Sequence, residues 1–165
     1  ADARYGSGMM ETLSFEAAGR MLDSGRNDPF LRQLRGTEEN RLHITLCGAV
    51  TAPEAAHLTG DDAVDAVLAH CAPLLPDTAA TMEIVFEDYI LYQVRNESFC
   101  SYDPQEIRTG KYLAVFEKSK LLDYLTVTVD AGLLSLCDAP WKHYRISTQN
   151  QIIDVIAQAE PKVYR

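Results

Sequence analysis

Residues 143–161 read HYRISTQNQIIDVIAQAEP, and how this stretch pairs with itself decides the fold of the C-terminal half. Asp154 stands inside the apolar run Ile152-Ile153-Asp154-Val155-Ile156. An acid there is either an exposed residue of an amphipathic strand or a buried carboxylate that needs a partner. If 143–148 and 152–156 form a hairpin, the loop length fixes the register. A two-residue turn at Gln149-Asn150 sets Thr148 against Gln151 and Arg145 directly against Asp154. A three-residue loop sets Asp154 against Ile146, and a four-residue loop sets it against Ser147 with Arg145 on the diagonal. Two of these three registers give an Arg145–Asp154 contact, which accounts for the acid as a paired structural charge. A helix over 150–159 would turn Ile152, Val155 and Ile156 inward and Asp154 outward, but the isoleucine and valine content favours the strand.

Working upstream, Lys111–Phe116 reads as a strand. Met82–Val94 reads as extended chain with a change of phase near Glu87-Asp88, and Tyr102-Asp103-Pro104-Gln105 is a turn signal. Ser119 caps a short helix carrying Leu121, Leu122 and Leu125, with alternating Thr126–Val129 after it and a loop from Asp130 to Trp141. The first half reads differently. A helix is expected over Thr12–Leu22, and Asp28-Pro29 opens a second short one through Leu34. Leu42–Cys47 alternates as a strand. Thr51-Ala52-Pro53-Glu54 and Thr59-Gly60-Asp61-Asp62 both fit capping boxes. The second opens a helix with Val64, Val67, Leu68, Cys71 and Leu75 near one face, limited by Pro73 and Pro76. The expected fold is one α+β domain over residues 9–165, its helical N-terminal half packed on an antiparallel sheet formed mainly by the C-terminal half. Ala1–Gly8 (ADARYGSG) is set aside as a leader.

Net charge is −9 over 165 residues, and residues 9–80 contain no lysine. Such a chain has no electrostatic reason to seek nucleic acid. No apolar run approaches the roughly 20 residues of a membrane span, and no secretory signal is visible, so a soluble cytoplasmic protein is expected. Acidity also suits an immunity-type protein that covers a basic partner. Cys47, Cys71, Cys100 and Cys137 form no CxxC pair, which points to free thiols.

The chemistry-bearing candidates are few. Arg95-Asn96-Glu97-Ser98 closes a strand and offers a grip for an anion or carboxylate through Arg95; the bland alternative is a solvated strand end. His43, His57 and His70 show no ligand spacing, so no metal or cofactor is expected. Nucleophile-elbow, phosphate-loop and dinucleotide motifs are absent after Met9. Cys100 with His143 is the one Cys/His pair worth testing, and nothing in the sequence places the two together. Catalysis by His143 and Asp154 needs a shared pocket. The aromatic second half, Tyr89, Tyr92, Phe99, Tyr102, Tyr112, Tyr124, Trp141 and Tyr144, fills a sheet or serves an interface, including a homodimer.

Arg95–Ser98, the run Phe116-Glu117-Lys118-Ser119-Lys120-Leu121-Leu122-Asp123, His143-Tyr144-Arg145 and Ile153-Asp154-Val155 with Pro161 together resemble a set of small uncharacterised bacterial proteins. The resemblance covers the last half of the chain and implies no activity. The expected role is therefore a non-enzymatic binding or regulatory module working through Arg95–Ser98, Tyr144 and Arg145 on the sheet face, with a protein partner or a second copy. The alternative is a small hydrolase or transferase using Arg95, Glu97, His143 and Asp154.

Overall fold

The computed structural model describes residues 11–25, 27–52, 60–68, 72–136 and 139–165. The leader, Pro53-Glu54, His57, Thr59, His70, Cys71 and Cys137 lie outside the described residues.

In chain order the elements are β1 (Thr12–Leu13), α1 (Phe15–Asp23), β2 (Phe30–Gly36), β3 (Leu42–Thr51), α2 (Asp62–Leu68), β4 (Leu74–Phe86), β5 (Leu91–Asn96), β6 (Ile107–Thr109), β7 (Leu113–Lys118), α3 (Lys120–Thr128), α4 (Ala131–Ser135), β8 (Lys142–Ser147), β9 (Gln151–Ala157) and β10 (Lys162–Tyr164). They build two antiparallel five-stranded sheets, ordered β1-β10-β4-β3-β2 and β5-β9-β8-β7-β6. This corrects the expected α+β fold. The N-terminal half supplies β1, β2, β3 and most of β4 of the first sheet and is not a helical layer.

Two misread segments explain the error. Phe30, Leu31 and Leu34 have a spacing that fits a helix, yet the segment pairs with β3 along Phe30↔Cys47 to Gly36↔Leu42. Pairing with a neighbouring strand overrides so short a local signal. Likewise Leu74–Phe86 is a 13-residue strand and not the end of a helix. Pro76 is tolerated there because β10 pairs only with Glu83–Val85, so among the described residues the first part of β4 has β3 as its single neighbour. Three residues bulge out between the Gly48↔Asp77 and Cys47↔Thr81 pairs. Of the expected helix carrying Val64 to Leu75, α2 holds Val64 and Val67, both exposed, and Leu75 stands in β4. In the C-terminal half, α3 runs on through the alternating Thr126–Thr128 stretch, and the expected loop after Asp130 contains α4, capped by Asp130.

The core lies between the two sheets. Ile44, Leu46, Met82, Ile84, Phe86 and Val163 of the first meet Leu113, Tyr144, Ile146, Ile153 and Val155 of the second, and Phe15 and Ala18 of α1 close one flank. On the far side of the second sheet, Leu121 and Leu125 of α3 pack on Ile156. The second sheet is thus covered by apolar side chains on one face and partly by α3 on the other, which is what forces Asp154 indoors. No helix among the described residues is long and apolar enough to cross a membrane.

Gly110 makes the approach to β7 possible. Its φ is +99°, and a Cβ at this position would lie 2.0 Å from the carbonyl oxygen of Leu113. Gly110→Ala should cost about 2 kcal/mol in chemical denaturation, limited because the exposed edge strand β6 can detach to relieve the clash.

Candidate functional site

β9 runs between β5 and β8, so Asp154 has cross-strand neighbours on both sides: Arg145 on β8 and Gln93 on β5. The register is the one set by the two-residue turn, and the Thr148 amide donates to the Gln151 carbonyl across it (2.9 Å). The side chain of Asp154 is wholly buried. Its Oδ1 accepts from Arg145 Nε (2.7 Å) and from His143 Nε2 (2.8 Å), and its Oδ2 accepts from Arg95 Nη2 (2.7 Å) and Gln93 Nε2 (3.1 Å). Burial pushes the carboxyl pKa up, but the hydrogen bonds from His143 and Arg145 outweigh it and hold the group well below the usual carboxylate range.

His143 is buried too, stacked on Phe116 at 4.2 Å, and its Nδ1 meets Ser119 Oγ at 2.8 Å. Ser119 Oγ also accepts the Leu122 amide as N-cap of α3 (3.1 Å). Nε2 carries the proton shared with Asp154, because the ionised carboxylate only accepts. Serine, histidine and aspartate stand in series, as in a nucleophile relay, but Ser119 is 1% exposed and its oxygen is spent on the helix cap. No substrate reaches it. The array is a strut that ties α3 to the sheet. Ser119→Ala should lower stability by roughly 2 kcal/mol in urea unfolding, since it removes a cap and leaves His143 Nδ1 buried without a partner.

The solvent side of the strut is an open cleft of two adjoining chambers, about 360 and about 160 Å³. Arg145, Ser101, Asp103 and Glu106 line both. Gln93, Arg95, Lys120, Leu121 and Tyr124 complete the larger, whereas Glu97, Cys100, Tyr102 and Arg108 belong to the smaller. Arg145 spends only Nε on Asp154 and lies with its guanidinium carbon 4.6 Å from the Phe116 ring centre. Its Nη groups remain for the cleft. Arg95 Nε is buried with no acceptor. Lys120 is paired with Asp103 (2.5 Å), which holds the Asp103 carboxyl below and the Lys120 ammonium above its ordinary range.

Of the residues singled out in the sequence, Arg95 and Arg145 meet at Asp154, and Glu97 joins the rim. Asn96 caps the turn Glu97–Phe99 by accepting the Ser98 amide. Tyr144 points the other way, into the core, where it also lines a separate cavity of about 430 Å³ beside α1. Cys100 donates to the Asn96 carbonyl (3.5 Å), and both ring nitrogens of His143 are engaged, so the pair shares no chemistry. Sequence reasoning missed Gln93 and the contact of Ser119 with His143; the alternation of β5, which puts Gln93 and Arg95 on one face, was the available signal for the former. Among the described residues no group of three or more His, Cys, Asp or Glu is arranged to hold a metal ion. Comparison with protein-family models, curated proteins and solved structures finds no match for this chain.

Proposed function

We propose that the chain is a non-enzymatic binding module that takes a carboxylate-bearing segment of a protein partner into the cleft over β5, β9 and β8. The observation that carries this is the pair Arg95 and Arg145, held at fixed positions by one buried carboxylate and still offering guanidinium donors to the cleft. Pre-organised guanidiniums lose little entropy on binding and grip carboxylates in two-point fashion. Tyr102 and Tyr124, exposed at 78% and 53%, provide amphipathic contact area at the two chambers. Glu97, Asp103 and Glu106 add negative charge to the rim, which selects against partners that bring acids in the wrong place. The free thiols of Cys47 and Cys100 fit a reducing, cytoplasmic setting.

The test is a titration with short peptides bearing internal Asp or Glu or a free C-terminal carboxylate, followed through the side-chain NMR signals of Arg95 and Arg145. Saturable shifts are expected, weakened about tenfold in Tyr102→Ala with Tyr124→Ala, which as exposed substitutions leave stability within about 0.5 kcal/mol. Silence of both arginines up to millimolar peptide removes the proposal. Self-association that Tyr102→Glu abolishes makes a second copy the partner.

A further inference from the structure

The solvent face of the first sheet carries a different concentration of charge. A cavity of about 620 Å³ spans β2, β3, β4 and the end of β10. Arg32 and Arg35 of β2 stand at one side and Arg165, just after β10, at the other; Thr45 and Thr81 lie between them. Strict alternation would send Arg32 to the opposite face from Gln33. The bulge between Leu31 and Gln33 instead lets both line the cavity, as bulges re-aim side chains.

Neither Arg32 nor Arg35 pairs with a carboxylate among the described residues, whereas the Arg165 guanidinium turns toward α1 and donates to the Met21 sulfur (3.3 Å). Arg20, Arg41, Arg95 and Arg145, by contrast, are all paired. The single acid lining the cavity, Glu83, is held by His43 (Nδ1 to Oε1, 2.8 Å). In a chain of net charge −9, two guanidiniums without a carboxylate partner share one concavity with the hydroxyl-bearing Thr45, Thr81 and Tyr164 and a single acid, Glu83, and form a local excess of donors and positive charge.

We infer that this cavity binds a small ligand carrying a dianionic oxyanion group, gripped by Arg32 and Arg35. Two neighbouring guanidiniums offer more donors than a single carboxylate uses and match an anion with several acceptor oxygens. A phosphate monoester and a dicarboxylate share that chemistry, and the concave shape favours a small ligand over a duplex or a flat polyanion. The site is separate from the cleft of the second sheet and does not depend on how that cleft is used.

The experiment is a titration of the full chain with phenyl phosphate, with succinate and with sodium chloride at matched ionic strength, read by calorimetry and by the amide shifts of Gln33 and Thr45. Saturable binding of phenyl phosphate or succinate, with a dissociation constant in the millimolar range or tighter, is expected, and the stronger of the two names the ligand class. Arg35→Gln should weaken it at least about fivefold, and Arg32→Gln with Arg35→Gln should abolish it. Arg41→Gln, which removes a charge that is tied to Glu39 and Glu87, should change affinity less than about twofold. All three substituted positions are exposed arginines, so thermal unfolding is expected to confirm an intact fold. The inference is overturned if neither probe exceeds the chloride control, if Arg41→Gln weakens binding as much as Arg35→Gln, or if only heparin or an oligonucleotide binds.

Discussion

Asp154→Ala should lower the unfolding free energy by roughly 3 kcal/mol, the low end of the range for breaking a buried ion pair. Removing the carboxylate leaves Arg145, Arg95, Gln93 and the Nε2–H of His143 without their common acceptor. His143 is wholly buried and cannot turn to water. Arg145 is 12% and Arg95 38% exposed, so both recover part of their hydration, which is why the low end is expected. Urea unfolding measures the loss, and a value under about 1 kcal/mol would show that the array is not a strut. The pH dependence follows with a definite sign. The folded carboxyl has its pKa below that of the unfolded chain, so the native state binds fewer protons over that interval. The contribution is present above the ordinary aspartate range, near pH 4, and is lost as pH falls below it. Asp154→Asn should remove this acid-side slope while keeping the side-chain shape. The peptide-dependent shifts at Arg95 should disappear as well, because its guanidinium is then no longer fixed.

How legible all this was in the sequence depends on how far apart the partners are. The β8–β9 register could be read because one short turn joins the strands, and with it came the Arg145–Asp154 contact. The second clamp comes from β5, where Arg95 is 59 residues from Asp154. Arg95 and Asp154 were both visible as unusual, but no local pattern joins residues brought together by sheet order. Ser119 was legible as a helix cap; its second bond, to His143, needed the packing of α3 on the sheet. The N-terminal half failed for a further reason. Phe30–Leu34 and the alanine-rich approach to Met82 have apolar spacings and compositions that suit a helix, and what makes them strands is β3, which pairs with both. The bulge that turns Arg32 outward is likewise a property of that pairing and not of the arginine. Fold class was therefore misread where structure is imposed by neighbours, and read well where a strand meets its own continuation.

Tyr144→Ala should cost about 4 kcal/mol, since large-to-small changes of buried aromatics combine lost transfer energy with a cavity. The ring is 2% exposed and packs edge-on against Phe15 of α1 (5.2 Å) and Phe86 of β4 (5.4 Å), so it joins the helix and both sheets at one point. Such aromatic pairs add about 0.5–1.5 kcal/mol each beyond the area they bury. Tyr144→Phe keeps the ring and should cost under about 1 kcal/mol at neutral pH. The two variants separate packing from the hydroxyl, and an alkaline titration separates them further. Burial, with a smaller contribution from Glu160, pushes the Tyr144 hydroxyl up to about 12. The native state therefore keeps a proton that the unfolded chain gives up near pH 10, and the hydroxyl's contribution, complete below that value, is lost as pH rises toward the folded pKa. Tyr144→Phe should flatten that alkaline fall while leaving the acid-side slope of Asp154 in place. Tyr144 faces the core and Asp154 the cleft from adjoining strands, so the opposite pH signatures report on opposite faces of one sheet. A Tyr144→Ala loss below about 2 kcal/mol would mean that α1 and the first sheet do not depend on this ring for their hold on the second.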